Sequence, residues 1–123
     1  MERTLKEALE QRRSYYALSS HSPVSDAEIE KIITFAARHV PSAFNSQSTR
    51  MVLLLGEHHR RLWDIVKETL RKIVPAKSFP ATEKKIDTSF AAGYGTVLFF
   101  EERTIIQGLQ KSFPAYEDKF PVW

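Results

Sequence analysis

Pro41-Ser42-Ala43-Phe44-Asn45-Ser46-Gln47-Ser48-Thr49-Arg50-Met51-Val52-Leu53-Leu54-Leu55-Gly56 joins a polar loop to a continuous apolar run. An apolar stretch this short, closed by glycine, reads as a strand over Arg50 to Gly56 that is covered on both faces. Helical patterns flank it on either side. Upstream, Ser25-Asp26-Ala27-Glu28 has the form of a capping box, and Ile29, Ile32, Ile33, Ala36 and Ala37 follow at helical spacing. That helix ends near His39, because Pro41 disfavours helical geometry at Val40. Downstream, Glu57 to Ile73 returns to the helical period, with Leu62, Ile65, Val66, Leu70 and Ile73 on one face, and Pro75 stops it.

The rest of the chain repeats this alternation. Thr4 to Arg13 reads as a helix, and Ser19 to Pro23 as a loop. Pro80 to Ala92 reads as a shorter helix closed by Gly93. Gly95 to Glu101, with Thr-Val-Leu-Phe-Phe at its centre, is a second apolar strand. Thr104 to Ser112 is a short helix, and the aromatic, proline-rich Phe113 to Trp123 reads as extended and packed. Helices beside apolar strands indicate an α+β layered fold in a single domain spanning 1–123. Two strands make a small sheet, since most sheets have four or more.

Composition bounds the chemistry. The chain is 42% hydrophobic and 27% charged, with a net charge of +3 and a pI of about 9.3. Acids and bases are interspersed, so this mild basicity does not single out nucleic acid as a partner. There is no cysteine, which excludes disulfides, thiolate metal sites and cysteine nucleophiles. No apolar run approaches the roughly 20 residues needed to span a bilayer. Met1 to Gln11 is charged and lacks the apolar stretch of a signal peptide. The expectation is therefore a cytoplasmic protein without membrane or nucleic-acid partners.

Two polar runs sit where elements end. Arg12-Arg13-Ser14 closes the first helix, and Pro41 to Gln47 lies between the second helix and the first strand. Arg12 and Arg13 offer planar donors suited to a phosphate, and Ser14 adds a hydroxyl. Asn45 and Gln47 each carry donors and acceptors, which suits a ring with a mixed edge. From the residues alone, simpler roles are the favoured reading of both runs. The arginines complement the C-terminal end of a helix, and Ser42, Asn45 and Ser46 satisfy loop backbone groups. His58-His59, next to Arg60-Arg61, reads as a solvated helix start, since adjacent helical residues point apart. His21 and His39 are isolated, and Lys84-Lys85 reads as a solvated face. Trp63, Phe99 and Phe100 read as core. Phe113, Tyr116, Phe120 and Trp123 read as core or dimer packing, with a channel for flat aromatics as the other possibility.

Arg12-Arg13-Ser14 followed by Pro41 to Gln47 resembles the FMN-dependent nitroreductase family. Phe90-Ala91-Ala92-Gly93-Tyr94-Gly95-Thr96-Val97-Leu98-Phe99-Phe100-Glu101, then Phe113-Pro114 and Phe120-Pro121-Val122-Trp123, narrow the resemblance to the fatty-acid-repression type of fungal and bacterial nitroreductases. It covers essentially the whole chain. It implies a central sheet flanked by helices, of which 1–123 is the N-terminal portion. A core helix, further strands and more phosphate-binding basic residues belong to the rest of such a protein. It implies FMN as cofactor, NAD(P)H as co-substrate, a homodimer, and a small aromatic substrate such as a nitroaromatic or quinone. The flavin carries the chemistry, so no catalytic side chain and no metal are required. By position, Arg12 and Ser14 match residues that contact the FMN phosphate and ribityl chain, with Arg13 beside them. Pro41, Ser42, Ala43 and Asn45 match residues that reach the ring from the partner subunit, and Gln47 matches a residue supporting that loop. Tyr16 stands where many members carry lysine, which leaves one cation fewer. The alternative is a non-enzymatic, dimeric ligand-binding or regulatory module of the same fold, active in lipid or redox signalling.

Overall fold

The computed structural model describes residues 3–120. It contains five α-helices and one two-stranded antiparallel sheet among these residues. Helix α1 is Leu5–Gln11, α2 is Asp26–His39, and strand β1 is Thr49–Leu55. Helix α3 is Gly56–Ile73, α4 is Phe79–Ser89, strand β2 is Gly95–Glu101, and α5 is Arg103–Ser112. Short 3-10 turns occupy Ala43–Asn45 and Pro114–Lys119.

Side-chain capping sets the starts of α1, α2 and α5. At α2 the Ser25 side chain accepts from the Glu28 N–H, so only one arm of the expected box forms there. The complete capping box lies at α1, where Thr4 accepts from the Glu7 N–H and the Glu7 carboxylate takes the Thr4 N–H at 2.8 Å. Helix α1 is nevertheless exposed along its whole length. Between β1 and α3 the chain turns without a loop, through Gly56 at φ +54°, a left-handed geometry that glycine adopts without penalty.

The strands pair in a single register, from Thr49 opposite Glu101 to Leu55 opposite Gly95. Directly opposed residues share a face, so the register sorts the sheet. Leu54 and Thr96 face α3, whereas Leu53, Val97 and Leu55 line a cleft with Ile29 of α2. Gly95 is required by this pairing: a Cβ there would lie 2.5 Å from Leu55 Cδ2 and 2.9 Å from the Leu54 carbonyl.

Helix α3 packs on α4 through Trp63 stacked on Phe90 at 5.1 Å, Arg71 over the Phe79 ring at 4.6 Å, and the Lys67–Asp87 ion pair at 3.0 Å. Asp87, bonded to the Lys67 ammonium, pushes that lysine above its ordinary pKa. The buried apolar residues are Phe79, Ile86, Ile106 and Phe120. The last segment differs from the extended form expected for it. Pro114 opens a 3-10 turn that folds back on α5, and Phe120 is buried; Pro121 to Trp123 lie outside the described residues.

The layers are open. Phe99 is 65% exposed, Phe100 46%, and Ile32, Phe35, Ile65 and Ile73 also face solvent, against the expectation that Phe99 and Phe100 are core. The accessible surface is 10179 Å². A folded monomer of this mass should expose roughly 6,800 Å². Excess surface on that scale, with this many large apolar side chains exposed in it, is characteristic of a face that another polypeptide segment covers.

Candidate functional site

The two polar runs occupy very different settings. Arg12 caps α1 with its backbone N–H on the Ala8 carbonyl at 3.1 Å, and Arg12, Arg13 and Ser14 are all exposed. Arg13 is turned back on its own helix, donating from Nη1 to the Glu10 and Arg12 carbonyls at 2.8 and 2.7 Å. It thus takes the helix-terminus role. The Arg12 guanidinium and the Ser14 hydroxyl have no hydrogen-bond partner among the described residues, so both remain available to an anion.

Pro41 to Gln47 is a built loop. Pro41 ends α2 one residue after its cap, Val40. The Gln47 N–H donates to Ser42 Oγ at 2.9 Å and the Asn45 N–H to the Ser42 carbonyl at 3.0 Å, closing the 3-10 turn over Ala43. Phe44, Asn45 and Gln47 hold φ of 54°, 50° and 49°. Asparagine tolerates this region; for phenylalanine and glutamine it costs on the order of 1 kcal/mol or more each. Something must therefore hold the loop. The Phe44 ring sits among Phe113, Phe120 and Tyr116 at 4.9, 5.3 and 5.7 Å. Such contacts contribute about 0.5–1.5 kcal/mol each, enough to offset the backbone cost. On the other side, the Ser48 hydroxyl donates to Glu101 Oε2 at the end of β2, and Thr49 Oγ1 donates to Glu101 Oε1 at 2.7 Å. The side-chain amides of Asn45 and Gln47 form no hydrogen bond among the described residues.

No hydrogen bond, ion pair or aromatic contact joins Arg12-Arg13-Ser14 to Pro41–Gln47 among the described residues. Two clefts of about 540 and 740 Å³ lie between the segment 15–23, α2, and the β1–α3 and α4–β2 connections. Neither polar run lines them. The smaller has largely apolar walls, whereas the larger also presents Asp26, His59 and Arg60; Leu18, Leu55 and Gly93 are common to both. Tyr94, on their rim, donates its hydroxyl to Asp26; that bond raises the Tyr94 pKa above its ordinary 10.0. Among the described residues no group of three His, Asp or Glu side chains could hold a metal, and no described helix is long and apolar enough to cross a membrane.

His59 departs from the sequence reading. It is 3% exposed, with Nε2 on the Ala91 carbonyl at 3.1 Å and Nδ1 on Thr96 Oγ1 at 2.9 Å. Adjacent His58 is exposed, so the pair divides between solvent and interior. Ser48 and Phe44 were likewise invisible as anchors: a serine before a strand and an aromatic in a polar loop carry no periodic signal.

Residues 9–121 match the pattern of the nitroreductase family. The chain belongs to the nitroreductase family. It is 32% identical over 120 residues to HBN1 of Saccharomyces cerevisiae, a match covering 96% of this chain and 58% of HBN1. Its fold is similar to that of nitroreductase CinD from Lactococcus lactis in complex with chloramphenicol, with a TM-score of 0.74 and 37% identity, covering 98% of this chain and 59% of CinD. CinD in complex with 4-nitrophenol gives a TM-score of 0.72 at 39% identity, over 98% and 59% of the two chains. The chain thus spans a little over half the length of the relatives it matches, and its α+β architecture is the corresponding part of the nitroreductase fold.

Proposed function

We propose that the protein is an FMN-dependent oxidoreductase of nitroreductase type, acting as a cytoplasmic homodimer with NAD(P)H as co-substrate and a nitroaromatic, quinone or related acceptor. The observation that carries this reading is the division of labour around the two polar runs. The Pro41–Gln47 loop is braced by its own backbone and anchors and Arg13 is spent on its own helix end, yet the side chains of Arg12, Ser14, Asn45 and Gln47 form no hydrogen bond among the described residues. A guanidinium and a hydroxyl fit a phosphate and ribityl chain. Two amides fit the mixed donor and acceptor edge of an isoalloxazine. These groups therefore suit FMN.

Bound FMN supplies the chemistry, hydride uptake from the nicotinamide and its delivery to the acceptor. The chain's own residues bind and orient. Arg12 and Ser14 hold the phosphate end, while Asn45 and Gln47, presented by the loop that Pro41, Ser42 and Ala43 shape, hold the ring edge. Arg13 stiffens the helix end beside them. The lack of contact between the two runs within one chain supports a site completed across two subunits, as does the large exposed apolar surface. Chloramphenicol and 4-nitrophenol both carry a nitroaryl group, which supports a flat nitroaromatic acceptor here.

Steady-state kinetics on the full-length protein with FMN tests this. Parallel double-reciprocal lines for NADH or NADPH against a nitroaromatic are expected. No oxidation of either reduced nicotinamide would instead point to the non-enzymatic binding module.

A further inference from the structure

We infer that Ser48 and Glu101 form a latch that sets the geometry of the cofactor-facing loop, which makes Glu101 a positioning residue. The inference rests on the functional reading above for what the loop contacts, but the latch itself is read from local geometry.

Ser48 is the most buried side chain described, at 2% exposure, although it is small and polar and stands at the mouth of an exposed loop. Its hydroxyl proton goes to Glu101 Oε2, because an ionised carboxylate only accepts. The 3.1 Å contact between Ser46 and Ser48 then has one consistent direction, with Ser46 as the donor. A chain of hydrogen bonds thus runs from Ser46 through Ser48 to Glu101, and Thr49 closes on the second carboxylate oxygen. The backbone joins in: the Glu102 N–H donates to the Ser48 carbonyl at 2.8 Å. The end of β2 therefore holds Ser48 by both side chain and main chain.

Asn45 and Gln47 lie between this latch and the Phe44 aromatic anchor. Both have left-handed backbones, which point their side chains in directions a relaxed loop would not keep. If the latch opens, the loop keeps the Phe44 nest and the Ser42 contacts to Asn45 and Gln47 but loses its side-chain tether to β2. The amides then scatter over several orientations, and a bound ring loses its aligned edge contacts. Glutamine at 101 can still accept from Ser48 and donate to Thr49, so it preserves the latch; alanine abolishes it.

The test uses the full-length protein and four variants: Ser48→Ala, Glu101→Ala, Glu101→Gln and, as a destabilising control away from the loop, Ile86→Ala. FMN dissociation constants, the visible spectrum of bound flavin, and amide exchange at Asn45 to Gln47 in the flavin-free protein are measured. Loss of one alignment step should weaken FMN by roughly tenfold or more and shift the flavin band in Ser48→Ala and Glu101→Ala. Glu101→Gln should stay near wild type. Ile86→Ala should melt earlier yet bind FMN with an unshifted spectrum. Unchanged affinity and spectrum in Glu101→Ala, in a wild-type background that binds FMN, would overturn the latch. If wild type binds no FMN, the functional reading fails, and amide exchange alone decides the latch: faster loop exchange in Ser48→Ala supports it, and unchanged exchange overturns it.

Discussion

Replacing Thr96 by valine deletes one hydroxyl and keeps the shape of the side chain. That hydroxyl is the hub of a three-residue network. The Trp63 indole N–H donates to Thr96 Oγ1 at 3.1 Å, and the same oxygen lies 2.9 Å from His59 Nδ1. His59 Nε2 faces the Ala91 carbonyl, which can only accept, so Nε2 carries the hydrogen. In the neutral ring Nδ1 is then an acceptor, and the Thr96 hydroxyl donates to it while accepting from Trp63. Every hydrogen has one place to go. Thr96→Val strands the Trp63 N–H and the His59 Nδ1 together. Each stranded group costs about 1–3 kcal/mol. Trp63 is only half-buried and can recover a water, so about 2–4 kcal/mol in all is expected. At roughly 2–4 °C per kcal/mol for a protein of the relatives' length, this lowers Tm by about 4–16 °C. Thr96→Ser, which keeps the hydroxyl, should lose far less. Calorimetry of the full-length protein with both variants is the assay, and nitrogen NMR of His59 should show the Nε2–H tautomer. A Thr96→Val protein melting within about 2 °C of wild type would refute the network's importance.

Gly95→Ala should destabilise by about 1–3 kcal/mol, because its Cβ meets the Leu54 carbonyl as well as the movable Leu55 side chain; chemical denaturation measures this. Tyr94, held neutral by its bond to Asp26, should titrate above 10.0 in ultraviolet absorption. Its contribution to stability is then present below the ordinary tyrosine pKa and lost as pH rises through the raised value, and Asp26→Asn should remove the effect. For Glu7 the sign is opposite. The Thr4 N–H and hydroxyl hold its carboxyl below 4.5, so its support of α1 is present above that value and is lost as pH falls through the lowered one; helix α1 amide exchange across acidic pH should follow this trend. Arg12→Ala should weaken FMN binding by roughly 10- to 100-fold, through loss of a charge-assisted hydrogen bond, whereas Arg13→Ala, whose guanidinium is spent on its own helix, should cost less in a fluorescence titration.

Much of the scaffold is visible in the sequence, because periodicity and punctuation report local forces. Pro41 and Ser25 bracket α2, and the apolar runs around Leu53 and Val97 give both strands to within a residue. The errors arise where the deciding partner is distant in sequence. His59 looks like part of a solvated basic cluster, yet the Ala91 carbonyl and Thr96 hydroxyl, more than 30 residues away, give it a buried berth. Phe99 and Phe100 look like core because they are aromatic and in a strand, but nothing within the described chain covers that end of the sheet. The candidate site divides in the same way. The runs that carry its polar groups can be read directly from the sequence. The anchors that hold one of them, Phe44 in its aromatic nest and Ser48 on Glu101, depend on contacts made by residues 50 or more positions later.

The most direct measurement is the visible absorption spectrum of the purified full-length protein after reconstitution with FMN and removal of free flavin, taken beside that of an Arg12→Ala, Asn45→Ala double variant. Flavin bands at one FMN per chain in wild type, strongly reduced in the variant, are the expected result. Wild-type protein without flavin bands, or a double variant that retains flavin fully, would contradict a cofactor site built from these two runs.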